Sequence, residues 1–200
     1  MLKISRLTDY GLLASVYLAR NAGQVTAARE LNPFSLIVNT NVGWVLGAAE
    51  RTEEAIAQFR QTLALDSSYL QARWRLAGTL ASARRFDEAL AEANRLVAMS
   101  DSSAPMLSIL AIVEARAGMR RQATALLDQL VARSRREYVP PASIALIFNA
   151  LGDADNTMLW LDKAFAERSN AIAYLAVDYR RSELRHDARY QALLARAGLK

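Results

Sequence analysis

Apolar and small residues recur along the chain with a period of 34 positions. The pair Glu54-Ala55 returns one period later as Glu88-Ala89. The same step generates four tracks: Ala55, Ala89, Ala123 and Thr157; Gly43, Ala77, Ala111 and Ala145; Val42, Leu76, Leu110 and Ile144; and Phe59, Ala93, Leu127 and Leu161. A period of this length is typical of helix–turn–helix units that stack into a solenoid. The pattern therefore predicts an all-α superhelix of about four units.

Polar and glycine-containing breaks divide each unit into two helices. The predicted helices of the first unit cover 36–49 and 52–65, and the later units cover about 69–99, 104–133 and 141–167, with turns at 82–85, 117–118 and 151–153. Thr52 should cap a second helix that carries Glu53 and Glu54 in its first turn. Gly118 and Gly152 stand where a first helix should end, a position that favours the positive φ of glycine.

Small residues are predicted where the two helices of a unit cross. The Gly43 track lies midway along the first helices, and the Ala55 track lies near the start of the second helices. Small side chains at both places let the helix backbones approach closely, while the larger residues of the Val42 track fill the layer between units. A bulky residue at Ala89 or Ala111 should overpack the crossing and destabilise the fold by about 1–3 kcal/mol.

The period divides the chain into an N-terminal helical segment over 1–31, repeats over 32–169 and a C-terminal cap over 170–200. The cap departs from the period. Within it, 187–194 reads as a short capped helix whose apolar stripe is Tyr190, Leu193 and Leu194. A solenoid needs such a cap because its last apolar layer would otherwise face water. The segment 1–31 could form the end of an earlier repeat, cover the other end of the stack or support self-association.

Composition narrows the range of functions. The chain has 200 residues, of which 52% are hydrophobic, and no cysteine. The lack of cysteine excludes disulfides, zinc–thiolate sites and cysteine nucleophiles, and it fits a reducing compartment. No apolar run reaches the roughly 18 residues that a membrane-spanning helix needs. The N-terminus is basic and then apolar but lacks a small-x-small cleavage site, so we expect a cytoplasmic protein with no membrane contact.

The formal net charge is +5, and arginine pairs occur at 84–85, 120–121, 135–136 and 180–181. Basic clusters can mark nucleic-acid contact. Here the pairs fall mostly at predicted helix ends, are spread along the chain and alternate with acidic residues. Solvated helix edges therefore explain them better than a nucleic-acid site.

Residues 36–169, with the tracks described above, resemble tetratricopeptide repeats. The stretch 138–199, which contains YVPPASIALIFNALGD, DARYQALL and ALLARAGL, resembles the end of repeat domains in larger bacterial signalling proteins. The resemblance implies a scaffold or regulatory module that binds another protein or a peptide in a concave groove. It implies no catalytic domain, for which this chain has no room.

In this repeat type one face of the first helices lines the groove. By phase, the groove residues are Thr40, Trp44, Gln71, Trp74, Ser108, Ile112, Arg116, Leu146 and Asn149. The two tryptophans are candidate anchors, because tryptophan is enriched among interface hot spots; the alternative is that both pack against neighbouring helices. Of the places that form a carboxylate clamp in chaperone-binding repeats, only the one with Arg75 holds a suitable residue. We therefore expect an apolar or helical partner.

The N-terminus carries a different resemblance. MLKISRLTDYGLLASVYLA followed by GQVTAAREL is similar to the opening of winged-helix repressors of the IscR type, and this similarity covers only the start of the chain. Asn32-Pro33-Phe34 then interrupts the pattern, and no recognition helix, wing or cluster cysteines follow. A helix-turn-helix without its second helix cannot read the major groove. DNA binding is therefore the second hypothesis, after protein binding.

Residues that could support catalysis are sparse. His186 is the only histidine and stands just before the cap helix, where a surface or capping role is expected. Asp153 and Asp155 lack the spacing of a calcium loop and are expected to start a helix. Asp128 and Asp162 are separated by one full period and are therefore repeat-equivalent, not an acid–base pair. We expect no enzymatic activity, no metal and no cofactor.

Overall fold

The computed structural model describes residues 33–175 and 184–199. Within these residues the chain forms nine α-helices, one short 3-10 helix and no strand. The helices are α1 (Leu36–Ala48), α2 (Thr52–Leu65), α3 (Leu70–Ser82), α4 (Phe86–Met99), α5 (Ala104–Arg116), α6 (Arg120–Arg133), α7 (Pro141–Leu151), α8 (Ala154–Ala166) and α9 (Ala188–Arg196), with the 3-10 helix Asn170–Tyr174 between α8 and α9. Consecutive helices from α1 to α8 form four antiparallel pairs, which we number as repeats 1 to 4. The predicted all-α solenoid is confirmed.

The period of the sequence is also the period of the structure. The second helices α2, α4, α6 and α8 begin at 52, 86, 120 and 154, and the predicted ends of the helix pairs hold to within one residue. The exception to the period is α7, which begins at Pro141 and not at 138. Pro140 and Pro141 explain the delay, because proline disfavours helical conformation in the preceding residue but fits the first helical position.

The turn inside each repeat has one backbone geometry. The second residue after the first helix has positive φ in repeats 1 to 3, at Glu50 (62°), Arg84 (61°) and Gly118 (82°), and in repeat 4 the equivalent residue is Gly152 (81°). The next backbone N–H then bonds a carbonyl five residues earlier, as in Arg51 N to Leu46 O at 2.9 Å and Met119 N to Glu114 O at 2.8 Å. This closure satisfies carbonyls that the helix end leaves open. The prediction of positive φ at Gly118 and Gly152 is confirmed.

One predicted cap is wrong. Arg51, not Thr52, is the N-cap residue of α2, and its side chain makes no capping hydrogen bond to the backbone. The turn is so short that Arg51 has two roles: its N–H bonds the Leu46 carbonyl at the end of α1, and it is the N-cap of α2. Thr52 is therefore the first helical residue. Glu53 and Glu54 do occupy the first turn, and Arg51 Nη2 lies 2.6 Å from Glu54 Oε2.

The small-residue tracks lie in the interior of the helix stack. The Ala55 track is buried in all four repeats, and so is the Gly43 track. The crossing in repeat 1 is especially tight: a Cβ added to Gly43 would lie 2.5 Å from Cε1 of Phe59 on α2. Glycine at position 43 thus faces Phe59, the largest side chain of the Phe59 track. Repeats 3 and 4 pair alanine with the smaller residues Leu127 and Leu161.

Polar pairs join the two helices of the first two repeats. In repeat 1, Gln58 Nε2 of α2 donates to Asn39 Oδ1 of α1 at 2.9 Å. At the equivalent positions of repeat 2, buried Arg73 of α3 forms an ion pair with Glu92 of α4 and also donates to the Ser67 carbonyl at 2.6 Å. Each pair satisfies polar groups that the helix contact removes from water.

The C-terminal helix α9 packs on repeat 4. Its predicted apolar stripe of Tyr190, Leu193 and Leu194 is 3%, 0% and 9% exposed, and Tyr190 Oη donates to the Leu175 carbonyl at 2.6 Å. The start of α9 at 188 lies one period after the start of α8 at 154, although its apolar stripe is placed differently along the helix. The predicted N-terminal segment 1–31 lies outside the described residues. None of the helices in the described part of the chain is long and apolar enough to span a membrane.

Candidate functional site

The first helices form a continuous inner layer. The helices α1, α3, α5 and α7 each contact the next one in this series, whereas the second helices pack mainly against first helices and much less against one another. Helices that lie closer together on one side bend a stack toward that side. The inner surface of the solenoid is therefore lined by the first helices.

The predicted groove residues divide into two sets by exposure. Five are buried between helices: Thr40, Trp44, Ser108, Ile112 and Leu146. The other four reach the surface: Gln71 is exposed, and Trp74, Arg116 and Asn149 are partly exposed. The hydroxyl of Thr40 donates to the Leu36 carbonyl at 2.7 Å, and that of Ser108 to the Pro105 carbonyl at 2.7 Å. Both hydroxyls thus form hydrogen bonds within their own helices. Because five of the predicted residues are buried, a ligand can contact fewer residues than the predicted set.

An arginine lies between the two candidate anchors. The Arg75 guanidinium carbon is 4.8 Å from the centre of the Trp74 ring and 5.2 Å from that of the Trp44 ring. A guanidinium over an aromatic face is attracted by the ring quadrupole. Trp44 is 5% exposed, so little of its ring faces solvent. Sequence reasoning placed both tryptophans near the groove but missed that they hold Arg75.

A second arginine bridges the neighbouring repeat. Arg116 Nη1 of α5 donates to Ser82 Oγ of α3 at 2.9 Å, across one full period of the sequence. Arg116 and Ser82 occupy equivalent positions of repeats 3 and 2, at the ends of their helices. A link between equivalent positions is one that the period could have indicated.

The charges of the inner layer are unbalanced. Glu114 is the single acidic residue on α1, α3, α5 and α7. It is partly buried, and this burial raises the pKa of its carboxyl group. Arg73 is paired with Glu92 inside repeat 2. Arg75 and Arg116 are the other two charged side chains on these four helices, and both are partly exposed.

The family comparison agrees with the repeat geometry. A family model described as tetratricopeptide repeat matches residues 47–113. Residues 47–113 are tetratricopeptide repeats. The match runs from the end of α1 to α5, and the helix pairs on either side continue the same fold with the same period. No curated protein matches the chain.

Two solved structures are similar in their backbone to this chain. One is YrrB, described as a TPR protein with an unusual peptide-binding site; it is 18% identical, with a TM-score of 0.48, over 86% of this chain and 90% of that chain. The other is Naa15/Naa10 bound to HypK-THB, which is 16% identical, with a TM-score of 0.47, over 94% of this chain and 31% of that chain. This chain thus spans about a third of the length of the second.

Tetratricopeptide repeats generally serve as non-catalytic scaffolds for protein interactions. In the part of the chain that the structure describes, no group of His, Asp and Glu side chains could hold a metal ion. Asp153 is the N-cap of α8 and accepts a hydrogen bond from Asn156 N at 2.9 Å, as predicted for a helix start. The winged-helix resemblance of 1–31 falls outside the described residues, and no comparison supports it.

Proposed function

We propose that the tetratricopeptide repeats bind a peptide segment of another protein along the inner face of α1, α3, α5 and α7. The observation that carries the proposal is the cluster of Trp44, Arg75 and Trp74 on the first helices, in which the Arg75 guanidinium carbon lies 5.2 Å and 4.8 Å from the two ring centres. Gln71, Ser82, Arg116 and Asn149 extend this surface along the helices. The protein acts as a scaffold or regulatory module, with a cytoplasmic and signalling role.

Arginine and tryptophan are among the residue types that most often dominate binding energy at protein interfaces. Holding them in place before binding also reduces the conformational entropy that a ligand must overcome. The buried members of the predicted set, such as Ile112 and Leu146, set the spacing between the first helices and so shape the surface from beneath. Their role in binding is indirect.

A display library of random dodecapeptides, selected on the immobilised chain, tests the proposal. Selected peptides are then titrated against a variant of the inner face, Gln71→Tyr, and a matched variant of the outer layer, Gln129→Tyr on α6. Both glutamines are exposed, so neither change should alter folding. We expect Gln71→Tyr to weaken binding at least about tenfold, or about 1.4 kcal/mol, and Gln129→Tyr to leave it unchanged.

A negative result would also decide the question. If no peptide is enriched, or if both tyrosine variants bind the selected peptides like the native chain, binding on the inner face is ruled out. Circular dichroism melts of the three proteins provide the control for folding.

A further inference from the structure

We propose that one edge of the solenoid associates with the same edge of a second copy of this chain, in an arrangement with two-fold symmetry. This edge, which we call the junction edge, lies where each repeat begins and where each second helix is followed by the next segment of the chain. It consists of residues 33–37, 65–70, 99–104, 133–141 and 166–170. The surface is distinct from the inner face, so the inference does not rest on the proposed function.

Exposed hydrophobic side chains are concentrated on the junction edge. In the described part of the chain six large hydrophobic residues are exposed, and five of them belong to this edge: Phe34, Ile37, Leu65, Met99 and Tyr138. Each of the five is at least 44% exposed. Single exposed hydrophobic residues are ordinary on a protein surface, whereas a row of them along one edge is typical of a contact with another molecule.

The opposite edge of the solenoid has a different chemistry. It contains the turns within the repeats, and none of the six exposed hydrophobic residues lies there. Several of its arginines are bonded within the chain: Arg51 pairs with Glu54 at 2.6 Å, and Arg120 donates to the Leu151 carbonyl of the following repeat at 3.1 Å. The junction edge is therefore the edge whose side chains gain most from burial.

The charge of the junction edge changes sign between two neighbouring junctions. Asp101 lies in the junction after repeat 2, and Arg135 and Arg136 lie in the junction after repeat 3. All three are exposed, and their side chains form no ion pair or hydrogen bond within residues 33–175 and 184–199. Glu137 of the same junction is already paired with Arg133. The edge therefore carries one acidic and one basic group of charges, each without a partner in these residues.

A two-fold axis between these two junctions brings complementary groups together. In a two-fold contact, any residue i that meets residue j of the other copy has a symmetry mate in which j meets i. The junction after repeat 2, with Met99 and Asp101, then faces the junction after repeat 3 of the second copy, with Tyr138, Arg135 and Arg136. Tyrosine, methionine and arginine are enriched at protein interfaces, and opposite charges across an interface select the partner and fix its register.

The junction edge is large enough for a specific dimer. Four repeats spaced about 10 Å apart give it a length of about 40 Å, and two layers of helices give it a width of about 20 Å. The area of about 800 Å² equals the share that each partner contributes to an interface of standard size. A lipid surface is the weaker match, because Asp101 lies among the apolar side chains and repels anionic headgroups.

Sedimentation equilibrium of the full chain, from about 1 to about 200 μM, supplies the first test. We expect the mass to rise from 22.1 kDa toward twice that value. Met99→Ser and Tyr138→Ser should each weaken dimerisation at least about tenfold. The matched control is Leu159→Ser, which changes an exposed hydrophobic residue in the middle of α8, away from the junction edge, and should leave dimerisation unchanged. A native chain that stays monomeric, or an equal loss in the control, overturns the inference.

Charge reversal tests the two-fold arrangement itself. Asp101→Arg places arginines opposite arginines in its own dimer, and the Arg135→Asp, Arg136→Asp double variant places aspartates opposite aspartates. Arg84 already adopts a positive φ like that of Asp101, so arginine is compatible with this backbone. We expect each variant alone to be monomeric and an equimolar mixture to form a heterodimer, because every contact in the mixed dimer is again attractive.

Three results would contradict the proposal. A mixture that stays monomeric overturns the two-fold arrangement. Association of either variant at the native strength places the contact on another surface. Binding of the native chain to phosphatidylcholine vesicles, lost with Met99→Ser and Tyr138→Ser, assigns the edge to lipid. Circular dichroism melts show that the compared variants are equally folded, and the peptide selection on the inner face, which tests the proposed function, is a separate measurement.

Discussion

Gly43 illustrates how a single hydrogen atom can be a structural requirement. Phe59 of α2 fills the space that a methyl group would need, and it is 1% exposed, so its ring has no room to move aside. Alanine normally stabilises a helix interior by about 1 kcal/mol relative to glycine. At this position the steric conflict outweighs that gain, because Cβ would lie 2.5 Å from a buried aromatic carbon.

We therefore predict that Gly43→Ala lowers the free energy of unfolding by about 1–3 kcal/mol. Adding Phe59→Leu, which recreates the pairing of Ala111 with Leu127, should recover much of that loss. Urea denaturation of the native chain, both single variants and the double variant gives the coupling energy. Additive effects would show that the two positions do not conflict.

The turn residues Glu50 and Arg84 hold a backbone conformation that glycine adopts at lower cost. Left-handed φ costs a residue with a side chain roughly 1–2 kcal/mol, and repeats 3 and 4 avoid this with Gly118 and Gly152. Arg84 gains something in return, since its guanidinium lies 5.8 Å from the centre of the Phe86 ring. Glu50 is exposed and makes the simpler test case.

Glu50→Gly should raise the free energy of unfolding by about 1 kcal/mol, and Gly118→Ala should lower it by a similar amount. Thermal melts followed by circular dichroism check both changes. A neutral or destabilising Glu50→Gly would mean that the glutamate contributes more to the turn than its geometry indicates.

At the scale of elements, the helix boundaries were predictable because each one repeats. A turn, a small-residue crossing and a helix start recur once in every period, so each repeat supports the assignment of the others. The stack of Trp44, Arg75 and Trp74 was not predictable in this way. Its members occupy three different positions within the repeat, and the period carries no information about contacts between non-equivalent positions. The apolar stripe of α9 also lies at positions that are not equivalent to those of α8, so the period did not indicate it.

The contact between the two helices of a repeat has different chemistry in successive repeats. The same pair of positions holds Asn39 and Gln58 in repeat 1, Arg73 and Glu92 in repeat 2, and Leu107 and Leu126 in repeat 3. Removing one member of a buried ion pair leaves an uncompensated charge, whereas replacing both by apolar residues is often neutral or stabilising.

On this basis Glu92→Leu alone should destabilise the protein by about 3 kcal/mol, and the Arg73→Leu, Glu92→Leu double variant should be at least as stable as the native chain. Guanidinium denaturation measures both. If the double variant is as unstable as the single one, the ion pair contributes to folding in its own right, and the Ser67 carbonyl that Arg73 contacts becomes the next position to examine.

At the scale of the whole molecule, the hydrophobic core of residues 33–175 and 184–199 forms two clusters. The larger runs from Val42 to Ile147 through repeats 1 to 3 and into α7, and the smaller joins α8 to the cap through residues such as Leu161 and Leu193. Helix α7 contributes to both, with Ile144 in the larger cluster and Ala145 in the smaller. In a solenoid, each unit interacts mainly with its neighbours, so stability can differ along the chain.

Leu193→Ala should therefore reduce hydrogen-exchange protection in α8 and α9 while leaving α1 to α4 nearly unchanged, with a local cost of about 2–5 kcal/mol. Hydrogen-exchange mass spectrometry of the native and variant chains resolves the two regions. A uniform loss of protection from α1 to α9 would indicate that the protein unfolds as one cooperative unit.

The regular spacing of the helix starts would allow further repeats to be inserted into such a chain. Since α2, α4 and α6 begin at 52, 86 and 120, and each follows a three-residue linker after its first helix, these three linkers are interchangeable in length. A duplicated segment 86–119 placed after residue 119 would meet the same kind of turn at both ends. Lengthening by whole units therefore preserves the existing contacts, and the inner surface can be extended to suit a longer ligand without redesign of what is already there.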